Sequence, residues 1–379
     1  MFTYLSNLFN EYKSFNLFFS EKHKQHRQLV FYSERSIYYQ TFGPFLEKLL
    51  KDPSITCSYI TSDINDPILK SHHERLYPFY FNFFLKSVFD KMDARCFVFT
   101  MPDLNTYHLK TSKHTKEYIY LFHAFSSTHL QYNEKAFDAY DTIFCVGPHH
   151  VKEIQKREQV YNLPQKKLLP IGYPRMDIVY RNFQTYKKQF KQKTILIAPT
   201  WSMASLLENG IETIIEELSK TDYRVIVRPH PEFLKRRKAL ADQLEQKIKT
   251  LPNFTWEDQL LSENSLYEAD LLITDRSGIA FEYAFGTERP VLFIDTPFKE
   301  HNKNWKALDI DPIELQLRNK VGINVKLDNL NNILRIIEDL LGKTSNWCEI
   351  LKTMRNEHVF HWNCSAIEGA EYIKQQLKS

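Results

Sequence analysis

Glycine is scarce in this chain, nine in 379 residues, and no phosphate loop of the GxxxxGK[ST] kind is present. Cysteine is scarcer still. The five (Cys57, Cys96, Cys145, Cys348, Cys364) are odd in number, scattered and without CxxC spacing, which excludes a disulfide framework and a thiolate zinc site and favours a reducing compartment. No apolar run is long enough to span a bilayer. No basic segment is followed by a small-residue cleavage site, so no cleavable signal peptide is expected. Charge of one sign is lacking too: the formal net charge is +4 with both signs interspersed. Nucleic acid is therefore not an expected partner, while anionic small molecules or an anionic membrane surface are compatible.

What is present is apolar and aromatic. Hydrophobic residues make up 43%, with 28 Phe and 21 Tyr, enough for a large core in a chain long enough for two domains. Apolar, β-branched or aromatic runs predict strands over Gln28–Tyr32, Ile55–Ile60, Arg95–Thr100, Glu117–Phe122, Thr142–Val146 and Leu168–Ile171. Helical periodicity fills Ile37–Leu50, Tyr80–Lys91 and His150–Arg157 between them. A second series predicts strands over Thr194–Ala198, Arg224–Val227, Phe254–Trp256, Leu271–Thr274 and Val291–Ile294, separated by helices near Ile211–Lys220, Glu232–Lys249, Ile279–Phe285 and Leu330–Leu341. Two such alternations predict two α/β, Rossmann-like domains with parallel sheets. The expected boundaries are 1–179, a polar and basic linker 180–192, a second domain 193–345, and closing helices 346–379 that pack back on the first. The N-terminal segment sets Phe2, Tyr4, Leu5, Leu8, Phe9, Phe15, Leu17, Phe18 and Phe19 before Lys22, Lys24 and Arg27. Such a segment lies either in a membrane interface or against its own domain. The aromatic patch Tyr77–Phe84 has the same two readings.

The chemistry sits at predicted strand ends. Val225-Ile226-Val227 runs into Arg228-Pro229-His230-Pro231. The guanidinium supplies fixed charge for a phosphate, the prolines restrict the backbone, and the imidazole can donate to a phosphate oxygen or protonate a leaving group; the alternative is a structural Arg–His pair. Thr274-Asp275-Arg276-Ser277-Gly278 opens the helix Ile279–Phe285. There Ser277 and Gly278 meet the free N–H groups of the helix start, where either an anion or a plain N-cap is accommodated. Glu282, a turn further on, can accept from a ribose or simply favour the first helical turn. Thr200 and Ser202, in Ala198-Pro199-Thr200-Trp201-Ser202, offer hydroxyls at the first strand end of this half; Trp201 is expected to pack. Asp295 and Thr296 line the same edge or make a turn before Pro297.

In the first half, Phe122-His123-Ala124-Phe125-Ser126-Ser127-Thr128-His129 follows a strand. His123 is the candidate general base for an acceptor hydroxyl, with Ser126, Ser127 and His129 beside it. Gly147-Pro148-His149-His150 opens a helix at the same edge; its histidines lack a third ligand at metal spacing. Gly172-Tyr173-Pro174-Arg175 closes the half with a turn from which Arg175 can reach the site.

Taken in order, the His123 loop, Phe144-Cys145-Val146-Gly147-Pro148, Gly172-Tyr173-Pro174-Arg175, Ala198-Pro199-Thr200-Trp201, Arg228-Pro229-His230-Pro231 and Thr274-Asp275-Arg276-Ser277-Gly278 resemble the CDP-glycerol glycerophosphotransferase family of teichoic-acid primases and polymerases, with relatives among capsule polymerases. The resemblance runs from about His123 to Asp295. It implies a GT-B architecture with the site between two domains facing across a cleft, a CDP-polyol donor held mainly by the C-terminal domain, no metal, and attachment to the cytoplasmic membrane face. It implies that His123 is the base, that His230 contacts donor phosphate, and that Asp275–Gly278 hold donor phosphate. The acceptor it implies is a lipid-linked or polymeric glycan. Departures are Phe122-His123-Ala124-Phe125 where Trp-His-Gly-Thr is common, Ser202 where Arg is frequent, and Gly278 where a second Ser is frequent. The competing readings are a GT-B glycosyltransferase using a nucleotide sugar, and a non-catalytic nucleotide- or polymer-binding relative. The expected reaction needs His123 and His230 to face one diphosphate.

Overall fold

The computed structural model describes residues 2–258, 263–297 and 300–378, with side-chain placement from Asn7 onward. They form two compact units: Met1–Arg175 with His301–Ile310 and Val359–Ser379, and Met176–Glu300 with Asp311–His358.

The first unit is built on seven parallel strands: β1 Leu29–Ser33, β2 Cys57–Thr61, β3 Leu76–Tyr80, β4 Cys96–Phe99, β5 Glu117–Leu121, β6 Thr142–Cys145 and β7 Lys167–Pro170. Their order is β3-β2-β1-β4-β5-β6-β7. β1, β2, β4 and β6 are buried along their whole length, as expected of parallel strands covered on both faces, which therefore read as continuous apolar runs. The strand order reverses between β1 and β4, the topological switch point beside which open α/β sheets take their ligands. β3 carries Pro78 and was expected to be part of a helix or an aromatic patch. As an edge strand it tolerates the missing N–H, and the helix begins only at Leu85.

The helix Phe2–Phe18 packs on its own domain at one end. Phe18 is fully buried, with its ring 5.1 Å from Phe79 and 5.9 Å from Phe81. Glu11, also buried, accepts the N–H groups of Asn82, Phe83 and Phe84 at 2.9, 2.9 and 3.3 Å, a carboxylate at the start of the helix Leu85–Lys91, where the dipole favours it. Phe9, Tyr12 and Leu17 remain at least half exposed. The side chains of Phe2, Tyr4 and Leu5 lie outside the described residues. The helix Ser365–Lys378 lies against the helix Tyr39–Leu49, where a Cβ on Gly369 would sit 2.2 Å from the Phe45 ring.

The second unit holds β8 Thr194–Ile197, β9 Arg224–Val227, β10 Phe254–Trp256, β11 Leu271–Thr274, β12 Val291–Asp295 and β13 Gly322–Lys326, all parallel, in the order β10-β9-β8-β11-β12-β13. Its switch point lies between β8 and β11. β13 was not anticipated. It is a short edge strand whose Gly322 has no room for a side chain, because a Cβ would fall 1.8 Å from the Val291 carbonyl oxygen.

The unit boundaries differ from the sequence boundaries. The chain enters the second unit at Met176 rather than 180. The stretch expected to be a linker is stitched to that unit: Glu268 accepts from Tyr186 Oη at 2.9 Å and from the N–H groups of Gln189 and Phe190 at 3.1 and 3.0 Å, and Lys188 pairs with Asp270. Of the closing segment, Thr344–His358 packs in the second unit, against the helices Ile279–Thr287 and Ile313–Val321, and Val359–Ser379 belongs to the first.

Candidate active site

In the second unit the polar motifs collect at the carboxyl ends of β8, β9, β11 and β12. Asp275, fully buried just past β11, ties them together. Its Oδ1 accepts the N–H of Thr200 at 2.8 Å and of Arg276 at 2.6 Å; its Oδ2 accepts the N–H of Leu206 at 2.9 Å. Thr274 Oγ1 donates to the Ala198 carbonyl at 2.7 Å in the same seam. Burial raises the Asp275 carboxyl pKa while these three N–H groups pull it back. An acceptor-only group with its lone pairs filled this way braces two loops. Asp275 was expected to hold phosphate; its geometry makes it a brace between the loops after β8 and β11.

Arg318 is the residue that sequence reading missed. It comes from the helix Ile313–Val321, is buried, and donates to the Asp275 carbonyl at 2.6 Å, to Asp295 Oδ1 at 2.8 Å and to Asn324 Oδ1 at 3.0 Å. Burial and the neighbouring Arg276 lower its pKa to about 10, against the pull of Asp295. Arg276 donates to the Thr296 carbonyl at 3.2 Å and faces Asp295 at 3.9 Å. Two guanidiniums thus face Asp295, with the Asp275 carboxyl also acting on both.

His230 caps the helix Pro231–Arg236: its Nδ1 accepts the Glu232 N–H at 3.1 Å. A ring that accepts at Nδ1 carries its proton on Nε2, which fixes the tautomer as an Nε2–H donor. Burial lowers its pKa, with Glu232 opposing, so the ring is neutral at pH 7. Arg228 is turned onto Ser265 Oγ at 3.2 Å with Glu257 at 3.8 Å. Gly278 is exposed, with nothing within 4 Å of a Cβ built on it and an ordinary φ of −62°; its value is open space at a helix start, and no unusual backbone conformation requires it. Ser277, Thr200, Ser202 and Glu282 are part-buried on the same edge.

In the first unit, His123 follows β5. It keeps part of its surface exposed, yet its Nδ1 is sealed from solvent with no hydrogen-bond partner among the described residues. Burial pulls its pKa down to about 4, with the Thr100 carbonyl pulling the other way. Tyr173 Oη donates to the His123 carbonyl at 2.7 Å, and the Tyr38 ring lies 5.0 Å from the imidazole. The rest of the loop is anchored by the helix Pro148–Tyr161, which Gly147 precedes. Glu153, 1% exposed, accepts from Thr128 N at 2.6 Å and Thr128 Oγ1 at 2.7 Å and lies 3.4 Å from His129 Nδ1. His150 Nε2 meets the Ser126 carbonyl at 2.9 Å. His129 is buried and bonded through Nε2 to the Ile310 carbonyl at 2.9 Å, and Ser127 is fully buried. Expected to face an acceptor, His129 and Ser127 are instead part of the anchor. Ser126 and Arg175 are part-buried at this edge.

Residues 85–316 match the family described as CDP-Glycerol:Poly(glycerophosphate) glycerophosphotransferase. The chain belongs to this family. It is similar to the teichoic acid glycerol-phosphate primase of Bacillus subtilis (strain 168), with 28% identity over 200 residues covering 48% of this chain and 47% of that protein. It is also similar to the teichoic acid ribitol-phosphate polymerase TarL of Staphylococcus aureus (strain NCTC 8325 / PS 47), with 26% identity over 154 residues covering 36% of this chain and 26% of that one. The matches thus span about half the length of the primase and about a quarter of the polymerase. Among solved structures, the wall teichoic acid polymerase TagF, solved after a CDPG soak, covers 98% of both chains at TM-score 0.62 and 13% identity. A putative UDP-N-acetylglucosamine 2-epimerase from Listeria monocytogenes covers 92% of this chain and 96% of its own at TM-score 0.62 and 12% identity. These likenesses establish the fold class: α/β, two parallel-sheet units of the GT-B type.

Proposed function

We propose that this family member transfers a polyol phosphate, with glycerol phosphate the first choice, from a CDP-activated donor to a hydroxyl of a lipid-linked or polymeric glycan, releasing CMP in cell-surface polymer synthesis. His123 takes the proton of the acceptor hydroxyl. The oxygen forms a bond to the polyol-bearing phosphorus, and the bond from that phosphorus to the CMP oxygen breaks with its electron pair leaving on CMP. Charge in such a transfer spreads over phosphoryl oxygens, so positioning and electrostatics dominate. Nε2–H of His230, the helix start at Ser277–Gly278 and the positive field of Arg228, Arg276 and Arg318 supply that stabilisation.

The observation that carries this reading is the tautomer of His230: its Nδ1 is occupied by the Glu232 N–H, so its proton is presented on Nε2 just past the carboxyl end of β9. Incubation with CDP-glycerol, CDP-ribitol and nucleotide sugars, following release of CMP or nucleoside diphosphate, tests it. His123→Ala and His230→Ala are expected to abolish CMP release in chains that remain folded; full activity in both refutes the assignment.

A peripheral contact with an anionic membrane surface goes with a lipid-linked acceptor. It is supported by the exposed Phe9, Tyr12 and Leu17 beside Lys13, whose Nζ sits 4.4 Å over the Phe9 ring. No helix among the described residues is long and apolar enough to cross a membrane. Changing the three exposed residues to Ser is expected to release the protein from sedimenting anionic liposomes; undiminished pelleting rules this contact out.

A further inference from the structure

We propose that the carboxyl ends of β1, β4 and β5 form a subsite for a vicinal diol, in which Glu34 and Asp103 accept hydrogen bonds from two neighbouring hydroxyls of the acceptor beside His123. The diol's role as acceptor rests on the function proposed above; the subsite itself rests on geometry.

The three strands are neighbours in register, Tyr32 opposite Phe99 and Phe99 opposite Tyr120. Glu34 lies two residues past Tyr32, Asp103 four past Phe99 and His123 three past Tyr120. All three therefore leave the same sheet edge at the β1/β4 switch point, where ligands of open α/β sheets bind.

Their polar atoms are left over from the fold. Asp103 is held rigidly: its backbone is left-handed at φ 64°, its N–H donates to the Ala136 carbonyl at 2.8 Å, and its Oδ2 accepts from Asn133 Nδ2 at 2.9 Å. Its Oδ1 is buried with no partner among the described residues, as are His123 Nδ1 and Thr100 Oγ1 on the adjoining strand ends. Glu34 makes no hydrogen bond or ion pair among the described residues. Burial raises its pKa, Arg35 opposes this, and the charge of Asp103 adds to the rise; burial also raises Asp103 itself, with Asn133 opposing. Unsatisfied buried acceptors of this kind are costly without a ligand that donates to them.

The chemistry selects the ligand. Two carboxylates repel a phosphate, so this end of the site takes the uncharged end of an acceptor. Among the described residues no three His, Cys, Asp or Glu side chains are placed to hold a metal ion. Carboxylates that accept from adjacent hydroxyls, with the Tyr38 ring 5.0 Å and the Tyr132 ring 6.4 Å from the imidazole to face C–H groups, suit a polyol or sugar diol. Glu34 precedes the matched span 85–316, so the family match does not assign it.

Saturation-transfer NMR with two probes tests the subsite without turnover. sn-Glycerol 3-phosphate carries the vicinal diol; propane-1,3-diol monophosphate lacks its central hydroxyl. The protein as it stands is expected to bind the first about 10- to 100-fold more tightly, the range of a lost charge-assisted hydrogen bond. Glu34→Gln and Asp103→Asn are each expected to weaken the diol probe and narrow the gap; Asn tolerates the left-handed backbone at 103. Affinity for CDP is the control. No discrimination by the unaltered protein, unchanged discrimination in both variants, or an equal loss of diol and CDP binding would each overturn the subsite. A protein that discriminates the diol yet releases no CMP from CDP-glycerol would sink the phosphotransfer reading and leave the diol subsite standing.

Discussion

Replacing Asp275 by Ala separates a brace from a ligand contact. The carboxylate receives two long-range N–H groups, from Thr200 and Leu206, and one local N–H, from Arg276. Removing it strands two buried donors at about 1–3 kcal/mol each. Part of that loss is returned, because burial disfavours the charged carboxylate, as the raised pKa shows. A net destabilisation of about 2–4 kcal/mol is expected, a large share of the roughly 5–15 kcal/mol available to a folded domain. At roughly 2–4 °C per kcal/mol for a unit of this size, the calorimetric transition of the second unit should fall by about 4–16 °C. Asp275→Asn should fall less: the remaining oxygen can serve Thr200, while the new amide meets the Leu206 N–H donor to donor. CDP affinity, measured well below the transition, should weaken only modestly. A variant that melts within about 1 °C of the parent yet loses CDP binding altogether would make Asp275 a ligand residue and refute the brace.

Two further outcomes follow from the same structure. His123 and His150 both have pKa values lowered to about 4 by burial. The unfolded chain, with His near 6.5, therefore binds more protons between pH 4 and 6.5. Stability is fully present above pH 6.5 and falls as pH drops through that window, by up to about 3 kcal/mol per residue; denaturant midpoints across pH 4–7 check this, and a flat profile contradicts it. Gly278→Ser should leave the melting temperature within about 1 °C, since nothing crowds its Cβ, whereas Gly286→Val should unfold the second unit at markedly lower temperature, because a Cβ there meets Val179 Cγ1 at 2.5 Å.

Strands with both faces buried were the legible part of this chain. Arg224–Val227 and Leu271–Thr274 coincide with their sequence ranges because a continuous apolar run bounded by turn residues has few other structures open to it. Two edge strands, β3 and β13, were not legible, although the edge strands β7 and β10 were. In Leu76–Tyr80 and Gly322–Lys326 one side of the strand is unpaired, so proline, asparagine and lysine are tolerated and the pattern fades. The strand-end motifs were legible as positions but not as roles. Polar residues at a strand end read alike whether they face a ligand or hold a loop, and only the partners of Asp275 and His129 and the burial of Ser127 separate the two. Arg318 gave no signal, since it reaches β11 and β12 from a helix more than forty residues beyond Asp275 in the chain.

The division between brace and contact is what makes the site readable. Each sheet reverses its strand order once, and in each sheet a buried acid group secures a loop: Asp275 joins the β8 and β11 ends at the second sheet's reversal, and in the first sheet, away from its β1/β4 reversal, Glu153 holds the loop after β5 through Thr128. Asp275, with both oxygens taken by backbone N–H groups, has little capacity left for a ligand, whereas Glu153 engages Thr128 through Oε2 and keeps a buried Oε1 with no partner among the described residues. The capacity lies with neighbours whose polar atoms the fold leaves unused, namely Nδ1 of His123, Oδ1 of Asp103 and the Glu34 carboxylate on one sheet, and Nε2–H of His230 and the open helix start at Gly278 on the other. The first set is made of acceptors and a base, suited to hydroxyls that must be held and deprotonated. The second is made of donors set in a guanidinium field, suited to phosphoryl oxygens. A nucleotide-sugar transferase needs the second set as well, so what separates phosphotransfer from glycosyl transfer is the species released: CMP in the first case, a nucleoside diphosphate in the second.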